Sequence, residues 1–195
     1  MTDRKTLVAL ILPYAVWMGL MWALPQSVAN YAVRTALTAA ALGLSAVLLR
    51  GRWKLPGPGA LLVGAAAGLA VCAVWVAPEQ CAWYRRWLVF GDGGTVDAAD
   101  ASLTLLTVRL LGSALVISVA EELFFRKWLM DFGGFWWSVA LFAVEHDRWF
   151  VGALAGIAYG LLARRKGLGS AIVAHALTNL LLGLYVIRTG SWQLW

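Results

Sequence analysis

Seven apolar runs, broken by short polar or basic stretches, organise the chain, and each is read as a helix because a span needs about 20 mostly apolar residues at 1.5 Å per residue. The first runs from about Leu7 to Leu24, with Pro13 near its start and Pro25 after it. The second covers about Tyr31 to Leu49 and ends in Arg50-Gly51-Arg52-Trp53-Lys54. Breakers at Pro56-Gly57-Pro58-Gly59 separate it from a third, about Ala60 to Ala77. Pro78 to Ser102 is the long polar segment; Trp83, Trp87, Leu88 and Phe90 among Arg85 and Arg86 predict an interfacial piece, and Gly91-Asp92-Gly93-Gly94 a turn. The fourth run extends from Leu103 to about Met130, and the fifth starts near Phe135-Trp136-Trp137. The sixth covers about Trp149 to Ala163 and the seventh about Leu168 to Ile187. Gly64 and Gly68, and then Gly152, Gly156 and Gly160, form small-residue faces suited to close helix packing.

Composition sharpens the picture. Of 195 residues, 62% are hydrophobic and 13% charged, against 45–50% and about 25% in soluble domains. The class is therefore all-α: a polytopic transmembrane bundle of about seven helices, six to eight by the same criterion, in one domain spanning 1–195. Residues 1–102 supply the N-terminal helices and interfacial loop, and 103–187 the core. The net charge of +6 would suit nucleic acid, but the basic residues sit in short loops, which reads as topology control with no nucleic-acid partner. Counting with the N-terminus inside gives ten basic residues inside against six outside or ambiguous, with all four lysines inside. The expected topology is N-terminus cytoplasmic, C-terminus outside, in a bacterial inner membrane. The N-terminal run shows no small-residue cleavage site and is read as a membrane helix. Cys72 and Cys81 have no metal-ligand spacing, and nothing indicates that they pair.

Three polar interruptions break the apolar pattern of the C-terminal half: Glu121-Glu122 followed by Arg126, Glu145-His146-Asp147-Arg148, and His175 with Asn179. Ionisable side chains inside a membrane are costly and persist where they face a partner or a cavity. At helical rise, Glu121 lies about 8–14 Å from the inner boundary, His146 about 15 Å in from Trp136 and His175 about 11 Å in from Leu168. Three helices thus bring an acid and the two histidines of the chain to overlapping depths, and the 145–148 stretch is expected in a water-filled cavity.

Glu122 and Arg126, four apart, are placed for an ion pair. Glu121, rotated by about 100°, is expected to point elsewhere, into the cavity, as a general base. His146 is suited to orient or deprotonate a water, or to ligate a metal. His175 and Asn179 share a helix face and can donate to an oxyanion. Each taken alone has a plainer reading: a structural Glu–Arg bridge, a loop histidine, polar glue between helices.

Together, EELFFR, FAVEH and HALTN fit the patterns EExxxR, FxxxH and HxxxN. Their order and spacing, over about Leu103 to Ile187, resemble the CPBP family of intramembrane proteases: type II CAAX prenyl endopeptidases and bacteriocin-processing or immunity relatives. The stretches EHDRWFVGALAGIAYGLL and VAHALTNLLLGLYVIRTGSW resemble, more narrowly, the CAAX-protease-related proteins that accompany exosortase and PEP-CTERM sorting systems.

The resemblance implies an intramembrane endopeptidase. Glu121 and His146 would activate water, His175 and Asn179 would stabilise the oxyanion, and Glu122, Arg126 and Phe142 would shape the site. The substrate would be a protein or peptide in the lipid bilayer, prenylated or exosortase-sorted. The family is often labelled metalloendopeptidase, and Glu121, His146 and His175 could complete a Zn2+ site with an open water position. Asn179 is a poor zinc ligand and no HExxH is present, so water activated without an obligatory metal is preferred. Two other classes stay open: a non-catalytic immunity or scaffold protein binding a partner through the same pocket, and a small transporter or proton relay.

Overall fold

The computed structural model describes residues 3–25, 27–52, 56–90 and 102–194. Eight helices order the described residues: α1 (Arg4–Ala23), α2 (Val28–Leu48), α3 (Pro58–Val76), α4 (Ala82–Leu88), α5 (Leu103–Gly133), α6 (Phe135–Val144), α7 (Trp149–Lys166) and α8 (Leu168–Thr189). Among the described residues there is no strand. The expected turn at Gly91–Gly94 and Lys54 of the basic loop lie outside the described residues.

Local signals explain the boundaries. Asp3 caps α1 by accepting from the Thr6 N–H at 2.9 Å, and Ser27 caps α2 by accepting from the Asn30 N–H at 3.2 Å. Pro58 opens α3, where its missing N–H costs nothing. The junctions before α6 and α8 turn through Gly134 (φ 91°) and Gly167 (φ 93°), backbone that disfavours any side chain. Pro13 lies inside α1, and the helix continues through it. An ion pair of 2.7 Å between Asp3 and Arg52 ties the start of α1 to the turn after α2.

Five helices are long and apolar enough to cross a membrane: Arg4–Ala23, Ala29–Leu48, Pro58–Gln80, Leu103–Gly133 and Leu168–Thr189. The other two of the expected seven are different. The apolar α6 has 10 residues, about 15 Å of rise, and α7 has 18 and ends in Arg164, Arg165 and Lys166. The chain is an all-α polytopic membrane bundle. The interfacial expectation falls on α4, which exposes Trp83 and Trp87 while burying Tyr84. Both cysteines are free.

Glycine faces set the two closest approaches. A Cβ on Gly68 would meet the Ala174 carbonyl at 2.6 Å, and one on Gly64 the Ser170 carbonyl at 2.6 Å, so α3 and α8 touch backbone to backbone. Ser170 adds a 2.8 Å hydrogen bond from its hydroxyl to the Ala60 carbonyl. The glycines of α7 face α6, where Gly160 packs under the Phe135 ring. α5 is not uniformly α-helical: Gly112–Ile117 and Glu122–Leu129 are wound as π-helix, with an α turn, Ser118–Glu121, between them. Such wide turns are uncommon and concentrate at functional sites; here the second one begins at the paired glutamates.

Candidate active site

Glu122 and Arg126 form the expected pair, Oε2 to Nε at 3.4 Å, with both side chains fully buried. Arg126 also donates from Nη1 to the Ser138 hydroxyl at 3.0 Å, and Ser138 in turn donates to the Phe125 carbonyl at 2.7 Å. The guanidinium sits 4.4 Å from the centre of the Phe142 ring. A cation buried in this way is held by charge, hydrogen bond and ring face together.

Glu121 departs from expectation. It does not point away from its neighbour into the cavity; it addresses the same imidazole. His175 Nδ1 lies 3.0 Å from Glu122 Oε1, and His175 Nε2 lies 3.7 Å from Glu121 Oε2. Both glutamates keep ordinary right-handed helical backbone, and the two ring nitrogens of one imidazole give these adjacent carboxylates separate partners. Because a carboxylate accepts, His175 Nδ1 carries the proton toward Glu122. Glu121 Oε2 is buried and makes no hydrogen bond among the described residues.

His146 ends α6 with its Nδ1 2.7 Å from the Phe142 carbonyl. A carbonyl only accepts, so Nδ1 holds the hydrogen, and the neutral ring keeps its lone pair on Nε2. Trp75 of α3 meets the ring edge-on at 5.4 Å, and Phe142 lies 4.7 Å from it. The 145–148 stretch is not one solvated patch. Only His146 lines the cavity; Glu145 interacts with the Tyr14 hydroxyl, and Arg148 is buried against Glu79.

His146, His175 and Asn179 come together around a cavity of about 150 Å³, walled also by Trp75, Phe142 and Tyr159. That is room for a few water molecules. Glu121 is not in its wall but stands behind His175. Asn179 donates one amide hydrogen to the Ser113 carbonyl at 3.0 Å, on the first π segment, which leaves its second N–H. Tyr159 was not singled out by its sequence context. It stacks on His175 at 4.8 Å and 18°, and donates to the Thr178 hydroxyl at 2.8 Å. Its place within the glycine-rich face of α7 was the only signal, and packing accounts equally well for that. Ser138, one turn before Phe142, and Trp75, far from any motif, carried no signal.

The donors do not fit the expected zinc set. Among the described residues no three of His, Cys, Asp and Glu converge as a metal-ligating group. Both His175 nitrogens already face carboxylates, and Glu121 does not line the cavity.

With this geometry in place, one comparison is decisive: the family model for type II CAAX prenyl endopeptidase Rce1-like proteins matches residues 103–181. The chain carries an Rce1-like domain. No curated protein and no solved structure matches it. The Rce1-like domain runs from the start of α5 into α8, and so contains Glu121, Glu122, Arg126, Phe142, His146, His175 and Asn179. Over residues 103–181 the chain is similar to a CAAX-type protease family.

Proposed function

We propose that the chain is an intramembrane endopeptidase that hydrolyses a peptide bond of a membrane-associated or C-terminally processed protein in a bacterial inner membrane. The observation that supports this best is the convergence of His146, His175 and Asn179 on one cavity within the membrane bundle, with Glu121 directly behind His175.

In this reading a water in the cavity is activated by His146 through Nε2, with Glu121 acting on the site through His175. As the water oxygen attacks the scissile carbonyl carbon, its proton passes to His146 and is then delivered to the leaving amine nitrogen. The carbonyl oxygen, now an oxyanion, accepts from the second Asn179 N–H, and the His175 ring, held by Glu121 and Glu122, forms the wall beside it. Phe142 and Arg126 hold the two imidazoles in register. The prenylated or exosortase-sorted substrate rests on sequence resemblance alone and belongs to this proposal.

The test is mass spectrometry of membrane-protein C-termini from cells carrying wild type or Glu121→Gln. Untrimmed C-termini should accumulate in the variant, with trimming lowered by at least about 100-fold, the range lost when general acid–base catalysis fails. Identical C-termini in both strains would sink the catalytic reading. Glu121's place outside the cavity wall favours one alternative, a non-catalytic immunity or scaffold protein; partner capture would then survive Glu121→Gln unchanged.

A further inference from the structure

The turn that carries His146 is four residues long, Glu145 to Arg148, and lies between two helices. It bears one of the two histidines of the site, yet its own backbone bonds are few: the His146 N–H reaches the Ala143 carbonyl at 3.1 Å, and the Arg148 carbonyl accepts from Gly152 at 2.9 Å. Besides the Phe142 contacts of His146 and the Tyr14–Glu145 contact, this turn is anchored by residues 75–90. Glu79, in the 3-10 turn that continues α3, holds Arg148 through two hydrogen bonds, Nε to Oε1 at 2.6 Å and Nη2 to Oε2 at 3.2 Å. Both side chains are more than nine-tenths buried. Phe90 donates its N–H to the Asp147 carbonyl at 2.6 Å and stacks on Trp149 at 6.1 Å. Trp75, one turn of α3 before Glu79, places its ring edge on His146 itself. Tyr84 is buried beside this pair, and burial, then the Glu79 carboxylate, push its phenol up to about 12.

We propose that Glu79 and Arg148 are positioning residues, a two-pronged clamp by which the α3–α4 segment fixes His146 at the cavity wall. This rests on the protease reading for its consequence in catalysis, but not for the clamp itself. A planar guanidinium bound at two points defines direction as well as distance. Arg148 is two residues from His146, so freedom at one is freedom at the other. The segment lies outside the Rce1-like match, and no residue of it belongs to the three motifs. The clamp therefore comes from the half of the chain that carries none of the candidate chemistry.

The test uses the two histidines as built-in probes. Ring-15N-labelled protein in nanodiscs should give two imidazole patterns, assigned with His146→Gln, and the wild-type His146 pattern should be that of a ring protonated at Nδ1. The variant is Glu79→Leu with Arg148→Met, since apolar replacement of a whole buried ion pair usually preserves folding where removal of one partner does not. It should fold, average its His146 tautomers and leave His175 as in wild type. C-terminal trimming should fall about 10–100-fold, the cost of a misplacement near 1 Å. An unchanged His146 pattern, or a double variant that fails to fold, overturns the clamp. Wild type that trims nothing while His146 still responds to the double substitution overturns the protease reading and leaves the clamp standing.

Discussion

Two neighbouring glutamates are predicted to have opposite phenotypes. Glu122 is fully buried between Arg126 and His175, so Glu122→Gln leaves a buried guanidinium without its counter-charge. The expected loss is about 3–5 kcal/mol, seen as a large drop in thermal unfolding temperature in detergent or as failure to accumulate. Glu121 has no cation at hydrogen-bond distance, and its Oε2 bonds to nothing among the described residues, so Glu121→Gln should stay within about 1 kcal/mol of wild type while abolishing trimming. Equal stability of the two variants would show that the pair is interchangeable and that the assignment of roles is wrong. The i, i+4 spacing made the Glu122–Arg126 pair legible in advance. The shared imidazole was not, because it depends on how α8 packs against α5, and a contact between two helices leaves no mark in the order of apolar and polar residues.

At the scale of elements, the close approach of α3 to α8 sets how far the His175 face stands from Trp75. Gly68→Ala pushes a methyl against the Ala174 carbonyl and should cost about 1–3 kcal/mol, the range for overpacking. Gly43→Ala, in α2 with nothing within 4 Å of the new carbon, should be neutral or stabilising by up to about 1 kcal/mol. Thermal unfolding of both in the same detergent checks the contrast; equal effects would remove the case for a backbone contact. The small-residue spacing announced that α3 and α7 pack tightly, but it could not name α8 and α6 as their partners. Spacing describes one face, and a partner is a property of two. Helix positions were legible because apolar length and breakers such as Pro25, Pro58 and Pro78 act locally.

At the scale of the molecule, the orientation we propose puts the N-terminus inside and the α3–α4 turn outside. Cys81 is exposed in that turn and Cys72 is half-buried within α3, so the native cysteines report topology without engineering. A membrane-impermeant maleimide added to intact spheroplasts should label Cys81; labelling only after permeabilisation would invert the bundle. Charge counting carried this expectation because loop lysines and arginines act through their number and side. The Glu79–Arg148 pair was invisible to the same counting, which took Arg148 as one loop cation and had no means of bringing it to Glu79, 69 residues away.

The broad winding of α5 has a consequence for its length. Each i→i+5 turn accommodates an additional residue without advancing the pattern of side chains, so the two wide stretches act as phase shifters along one rod. Deleting a single residue between Gly112 and Ile117, where Asn179 also finds its carbonyl, would let the rod tighten to ordinary pitch. Everything beyond would keep its bearing, so the glutamates and Arg126 should stay in place and the loss should fall on the Asn179–Ser113 bond, whereas the same deletion in plain α winding would swing the remainder by about 100°.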